Sequence, residues 1–175
     1  MRILIVTGMP GAGKEELLSV ARGMGIPFLR MGDLVREGYS GSGLSDSMSL
    51  GEYANQQRQE FGKDIWARRA IERMSGEVFL VDGCRSLDEV ESFRGLSDDV
   101  VVVAVHAPRA QRYSRLVARG RNDAPADMDE FDVRDRREMG WGISDTIALA
   151  DVMIVNDSDL ETFRERVTKA LEVLV

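Results

Sequence analysis

Four short runs of apolar, mostly β-branched residues punctuate the chain: "ILIV" from Ile3, "VFLV" from Val78, "VVVVAV" from Val100 and "VMIV" from Val152. None alternates polar with apolar positions, as expected of strands buried on both faces between helix layers. "IPFLRM" from Ile26 is a fifth candidate, which Pro27 confines to a sheet edge or a strand start. Between the runs the apolar spacing turns helical, over Lys14 to Met24, Leu50 to Met74, Leu87 to Phe93, Arg109 to Arg119 and Leu160 to Leu174. Alternating strands and helices predict a three-layer α/β fold around a central five-stranded parallel sheet with right-handed crossovers.

Two stretches break this rhythm. Residues 38–49, "GYSGSGLSDSMS", are rich in Gly and Ser, and with the helical pattern that follows they make residues 38–74 too long for a simple crossover. Residues 120–143, "GRNDAPADMDEFDVRDRREMGWGI", are dense in charge and bounded by glycines. Both read as mobile insertions above the sheet rather than as linkers between domains. The 175 residues, 43% of them hydrophobic, are then a single domain spanning 1–175 with enough apolar mass for a core.

Charge narrows the partners. A net charge of -7 argues against broad affinity for nucleic acid or an anionic membrane surface. No apolar run approaches the roughly 20 residues a membrane span needs. The opening "MRILIVTG" is too short in its apolar part, and too poor in small cleavage-site residues, to be a signal segment. With Cys84 as the one cysteine no internal disulfide forms, and a reducing cytoplasm is the expected compartment.

The chemistry starts where the first strand ends. Gly8-x-x-x-x-Gly13-Lys14 stands directly after that strand and directly before a helix, the context that gives the pattern its meaning. Glycines at 8, 11 and 13 free consecutive N–H groups to face phosphate oxygens, the helix N-terminus adds its dipole, and Lys14 reaches the outer phosphates. Gly8, Met9, Pro10, Gly11, Ala12, Gly13 and Lys14 are therefore the candidate cradle for ATP.

Glu15 stands where a hydroxyl would ordinarily coordinate Mg²⁺. It either ligates the ion directly, acts through a metal-bound water, or points to solvent and leaves Glu16 or Asp82 to hold the metal. An unpaired carboxylate repels a triphosphate, which favours the metal readings. Asp82 ends a buried apolar strand, where a carboxylate can hold Mg²⁺ through water beside the loop, although Gly83 after it also suits a plain turn.

Three segments resemble nucleoside monophosphate kinases. "FLRMGDLVREG" looks like their "TGD-x-x-R" segment, which implies that Arg36 grips the acceptor's phosphate. "FLVDGCRSLDEV" is similar to their "DG-x-P-R" strand end, without the proline, so that Arg85 lies one position nearer the strand. "QRYSRLVARGR" resembles the arginine-bearing helix that leads into their lid. The ending "ADVMIVNDSDLETF" looks like that of dephospho-CoA kinase. Along nearly its whole length the chain resembles an archaeal family described as adenylate-kinase-related or dephospho-CoA-kinase-like, in "GMPGAGKEE", "FGKDIWARR" and "RDRREMGWGI" followed by "ALADVMIVN". The resemblance implies ATP- and Mg²⁺-dependent phosphoryl transfer to a nucleotide-type small molecule. It makes 38–74 an acceptor-binding region, where the Gln57 amide can read a base edge, and 120–143 a lid.

Phosphoryl transfer depends on positioning and charge neutralisation, for which arginine's planar fork is suited. Arg112, Arg115 and Arg119 fall on one helix face; Arg119 and Arg121 enter the charged insertion, and Arg134, Arg136 and Arg137 leave it. Pairing with Asp129, Glu130, Asp132, Asp135 or Glu138 is the plainer reading for any one of them. Arg119 and Arg137 are the expected closing residues. Asp33 merely positions its helix if the acceptor is a phosphate, and orients a proton if the acceptor is a hydroxyl. Tyr53 and Trp66, aromatic at helical spacing, fit a core better than a base platform, Gln56 offers a second amide beside Gln57, and His106 before Ala107-Pro108 reads as a turn residue. The competing class is a nucleotide-binding regulator or slow NTPase with a macromolecular partner.

Overall fold

The computed structural model describes residues 1–44, 47–120 and 124–175, so Arg121 lies outside the described residues. Strand β1 (Arg2–Thr7) runs between β3 (Val78–Asp82) and β4 (Val100–His106), while β2 (Phe28–Arg30) and β5 (Val152–Val155) form the edges. The order is β2-β3-β1-β4-β5, and every pairing is parallel. All five apolar runs thus become strands. Pro27 holds β2 to three residues, and its carbonyl accepts the Leu80 N–H at 2.9 Å.

The pleat of β1 divides its side chains between two cores. Leu4 and Val6 meet α1 (Lys14–Gly23) and α9 (Leu160–Leu174) through Leu17, Leu18, Phe163, Val167 and Leu171. Ile3 and Ile5 face α2 (Met31–Ser42), α3 (Leu50–Phe61), α4 (Ile65–Ile71) and α5 (Leu87–Arg94) through Leu34, Tyr53, Trp66 and Phe93. Helices α6 (Arg109–Ala118), α7 (Met128–Gly140) and α8 (Ile143–Ala148) follow β4. Among the described residues no helix is long and apolar enough to cross a membrane.

The helical segments differ from the sequence reading in three places. The expected single helix over 50–74 is two, because Gly62 at φ 104 ends α3 and lets α4 turn back to bury Trp66. The Gly/Ser stretch is helical up to Ser42, where burial of Met31, Leu34 and Val35 outweighs the poor helix propensity of three glycines. The charged insertion contains α7, capped by Asp127 accepting the Glu130 N–H at 2.9 Å and anchored by the fully buried Phe131.

Candidate active site

The crossover from β1 passes β3 to reach β2, whereas the crossover from β3 passes β1 to reach β4. The loops after β1 and β3 therefore diverge, and a crevice opens outside the carboxyl ends of the strands, where open parallel sheets bind ligands. Parallel register sets Val6 beside Asp82 and Asp82 beside Arg30, which brings the glycine loop, the acidic strand end and an arginine to this one edge.

The loop itself is shaped by close contacts. Gly8, Gly11 and Gly13 have φ of 144, 79 and 115. A Cβ on Gly8 would lie 2.3 Å from the Val105 carbonyl oxygen, and one on Gly13 would lie 2.3 Å from Asn156 Nδ2. Asn156 pins the turn from below: its Nδ2 donates to the Ala12 carbonyl at 2.8 Å, and its Oδ1 accepts from Arg115 at 3.1 Å. Lys14 arches back over the loop, with Nζ donating to the Gly8 and Met9 carbonyls.

The resulting cleft has a volume of about 670 Å³, in the range of small-molecule sites. Gly8, Pro10, Gly11, Gly13, Lys14, Glu15, Glu16, Asp82, Arg85 and Arg119, all candidates from the sequence, line it. Arg115, Arg134, Glu138 and Asn156 join them. Ala12 is buried behind the loop, and Met9 borders a neighbouring depression. Asp33 and Arg36 form an ion pair with each other, each 57% exposed, and do not line the cleft. Gln57 accepts from Arg69 at 2.8 Å, and Arg137 lies 5.6 Å from the Trp141 ring; neither reaches the cleft wall.

The acidic residues are held in different ways. Glu15 accepts from Arg30 at 2.7 Å and lies 3.7 Å from Arg119, so it meets two arginines across the cleft mouth. Glu16 pairs with Arg164 of α9 at 2.8 Å. Asp82 keeps a buried Oδ1 that no donor among the described residues satisfies. Burial raises the Asp82 pKa above the ordinary 3.8, against the pull of Lys14 and Arg85. Burial likewise pushes the Lys14 ammonium below 10.5, with Asp82 opposing. An orphaned buried carboxylate oxygen beside a lysine fits a divalent cation. Among the described residues no cluster of three or more His, Cys, Asp or Glu is arranged as a complete metal cage. One or two carboxylates suit Mg²⁺, which takes its remaining ligands from phosphate and water.

Past Asp82 the wall is built from buried ion pairs. Arg85 donates from Nε to Glu138 at 2.6 Å and from its backbone N–H to Glu89 at 2.6 Å. Burial works against the Glu138 carboxylate, yet the charge and hydrogen bond of Arg85 hold its pKa below 4.5. Arg58, 8% exposed, lies 3.4 Å from Glu89 and stands with Arg85 against the Trp141 ring, at 4.8 and 5.5 Å. Sequence reasoning passed over Arg58 and Asn156 as site residues and named Arg134 only within the arginine group of the charged insertion. Only their chain neighbours, "NQQRQ", "VNDSD" and "RDRRE", signalled a site nearby.

Known proteins agree with this architecture. A family model described as an AAA domain matches residues 7–132. The UPF0200 protein of Thermoplasma volcanium is 46% identical over 171 residues, covering 97% of this chain and 96% of its own. That of Thermococcus onnurineus is 39% identical over 181 residues, covering 99% and 98%. Among solved structures, shikimate kinase from Bacteroides thetaiotaomicron superposes with a TM-score of 0.66 at 16% identity, covering 99% of this chain and 98% of its own. A gluconokinase from Sinorhizobium meliloti superposes with a TM-score of 0.63 at 16% identity, covering 99% and 93%. At such identities these superpositions speak for the fold, the parallel P-loop kinase-like arrangement, and not for a substrate. The chain belongs to the UPF0200 family of archaeal proteins and is built on a P-loop NTPase domain.

Proposed function

We propose that the protein is an ATP- and Mg²⁺-dependent phosphotransferase whose acceptor is a nucleotide-type small molecule, a nucleoside monophosphate or dephospho-CoA. The observation that carries this reading is the meeting of the Gly8–Lys14 loop, with its inward lysine, and the orphaned Asp82 oxygen at one sheet edge. Loop amides and Lys14 would hold and neutralise the β- and γ-phosphates. Asp82, with Glu15 at the cleft mouth, would hold Mg²⁺, which supplies charge stabilisation to the transferring phosphoryl group. In transfer the bond from the γ-phosphorus to the bridging oxygen of ADP breaks as a bond to an acceptor oxygen forms. Arg119 and Arg134 face that space, and Arg85 borders the side beyond Asp82 where the acceptor would sit. Arg36, Asp33 and Gln57 join the acceptor side only through movement of their helices toward the cleft, and Arg137 only by swinging its side chain away from the Trp141 ring.

Incubating the protein with ATP, Mg²⁺ and each nucleoside monophosphate or dephospho-CoA, with products identified by mass, tests the proposal. One acceptor should stimulate ADP formation strongly and gain one phosphoryl group. A slow basal ATPase that no acceptor stimulates would favour the regulator instead. Asp33→Asn then separates acceptor classes: transfer to a phosphate acceptor survives it, while transfer to a hydroxyl that relies on Asp33 is nearly abolished.

A further inference from the structure

Helix α7 carries two buried carboxylates one turn apart, Asp135 and Glu138, and each grips a guanidinium from a different part of the chain, Arg112 of α6 and Arg85 after β3. Asp135 accepts from both Nη atoms of Arg112, at 2.9 and 2.5 Å, joining α7 to α6 by a two-toothed contact. The same Arg112 Nη1 donates to the Pro10 carbonyl at 3.1 Å. The α6 backbone lies so close beneath the loop that a Cβ on Gly11 would fall 2.7 Å from the Arg112 carbonyl oxygen. The glycine loop thus rests on Arg112, and Arg112 is aimed by Asp135. One turn further along α7, Glu138 ties the helix to Arg85, so α7 cannot shift without disturbing the strand-end arginine as well.

We infer that Asp135 and Arg112 are a positioning pair that holds the phosphate loop in its anion-binding shape, making α7 a fixed brace for the donor site rather than a loose lid. The inference rests on the phosphate-binding role proposed for the loop. A neighbouring pair shows what a purely structural link looks like. Arg109 and Asp132 also join α6 to α7, and Arg109, like Arg112, lies against the Phe131 ring. That pair is more exposed, and Arg109 makes no contact with the loop carbonyls among the described hydrogen bonds. Breaking a buried pair leaves a guanidinium without its counter-charge, and Arg112 would then hold Pro10 in a different place.

The test is binding of MgATP, inorganic triphosphate and adenosine to the full chain, measured at a temperature where circular dichroism shows every variant folded. Asp135→Asn should weaken MgATP and triphosphate together by roughly tenfold and leave adenosine unchanged, because the defect lies in the phosphate cradle and not in a base pocket. Arg112→Lys keeps the charge but loses the fork, so it should reproduce that pattern and stands in if Asp135→Asn does not fold. Asp132→Asn should bind all three ligands as the wild type does. Wild-type affinity for triphosphate in folded Asp135→Asn or Arg112→Lys would overturn the brace alone. A wild type that binds neither MgATP nor triphosphate would overturn the phosphate-loop reading and the brace with it.

Discussion

Burial raises the Asp82 pKa while Lys14 and Arg85 pull it down, and burial lowers that of Lys14 while Asp82 pulls it up. The signs follow from linkage. Asp82 contributes to stability below its ordinary value of 3.8 and loses that contribution as pH rises through its raised folded value. Lys14 contributes above 10.5 and loses its contribution as pH falls through its lowered folded value. Each group sits where burial disfavours its charged form, as expected of residues kept for work on a ligand. A metal requires Asp82 ionised, so Mg²⁺-dependent nucleotide binding should begin to weaken at a higher pH than an ordinary aspartate would set. The measurement is nucleotide affinity with and without Mg²⁺ between about pH 7 and 5, where ordinary carboxylates stay ionised. Asp82→Asn serves as the reference that carries the nucleotide's own protonation. An identical Mg²⁺ dependence in both proteins would remove Asp82 from the metal site.

Helices show where local sequence and tertiary packing disagree. Gly38 and Gly41 lie in the last turns of α2, and on propensity alone each costs about 1 kcal/mol relative to alanine. Their surroundings separate them. A Cβ on Gly38 would lie 2.8 Å from Tyr53 Oη, and that ring is buried and wedged between Tyr39 and Trp66, whereas a Cβ on Gly41 meets nothing within 4 Å. In urea denaturation Gly41→Ala should therefore gain up to about 1 kcal/mol, while Gly38→Ala should lose stability because overpacking costs about 1–3 kcal/mol. Equal gains in both would mean that α2 and α3 do not approach as closely as Gly38 implies. The strands, by contrast, were legible almost residue for residue, since a run apolar on both faces admits few other uses. The glycine loop was legible for the same reason, its strand-loop-helix setting being local. Asn156, Asp135 and Glu138 were not, because each acts on a partner far away in the chain, and nothing in "RDRRE" says that both of its carboxylates are buried.

Taken as a whole, the molecule sets its two cores on opposite faces of the sheet and leaves poorly satisfied polar atoms in the cleft, where Asp82 Oδ1 and Arg115 Nη1 are buried without partners among the described residues. Arg115 and Asp82 line the same cleft as the lysine whose charge burial disfavours. A ligand that supplies phosphate oxygens and a divalent cation there binds the folded state and has no comparable site on the unfolded chain, so it stabilises by mass action. At a concentration about 100 times Kd the gain is about 2.7 kcal/mol. In a domain of this size each kcal/mol moves Tm by roughly 2–4 °C, so saturating MgATP should raise Tm by roughly 5–10 °C. Scanning calorimetry checks this, with Lys14→Met as the comparison: removing the ammonium should abolish most of the shift while leaving the fold intact, because among the described residues Lys14 bonds to loop carbonyls alone and carries none of either core. If MgATP moves wild type and Lys14→Met alike, the nucleotide is held somewhere other than the head of the sheet.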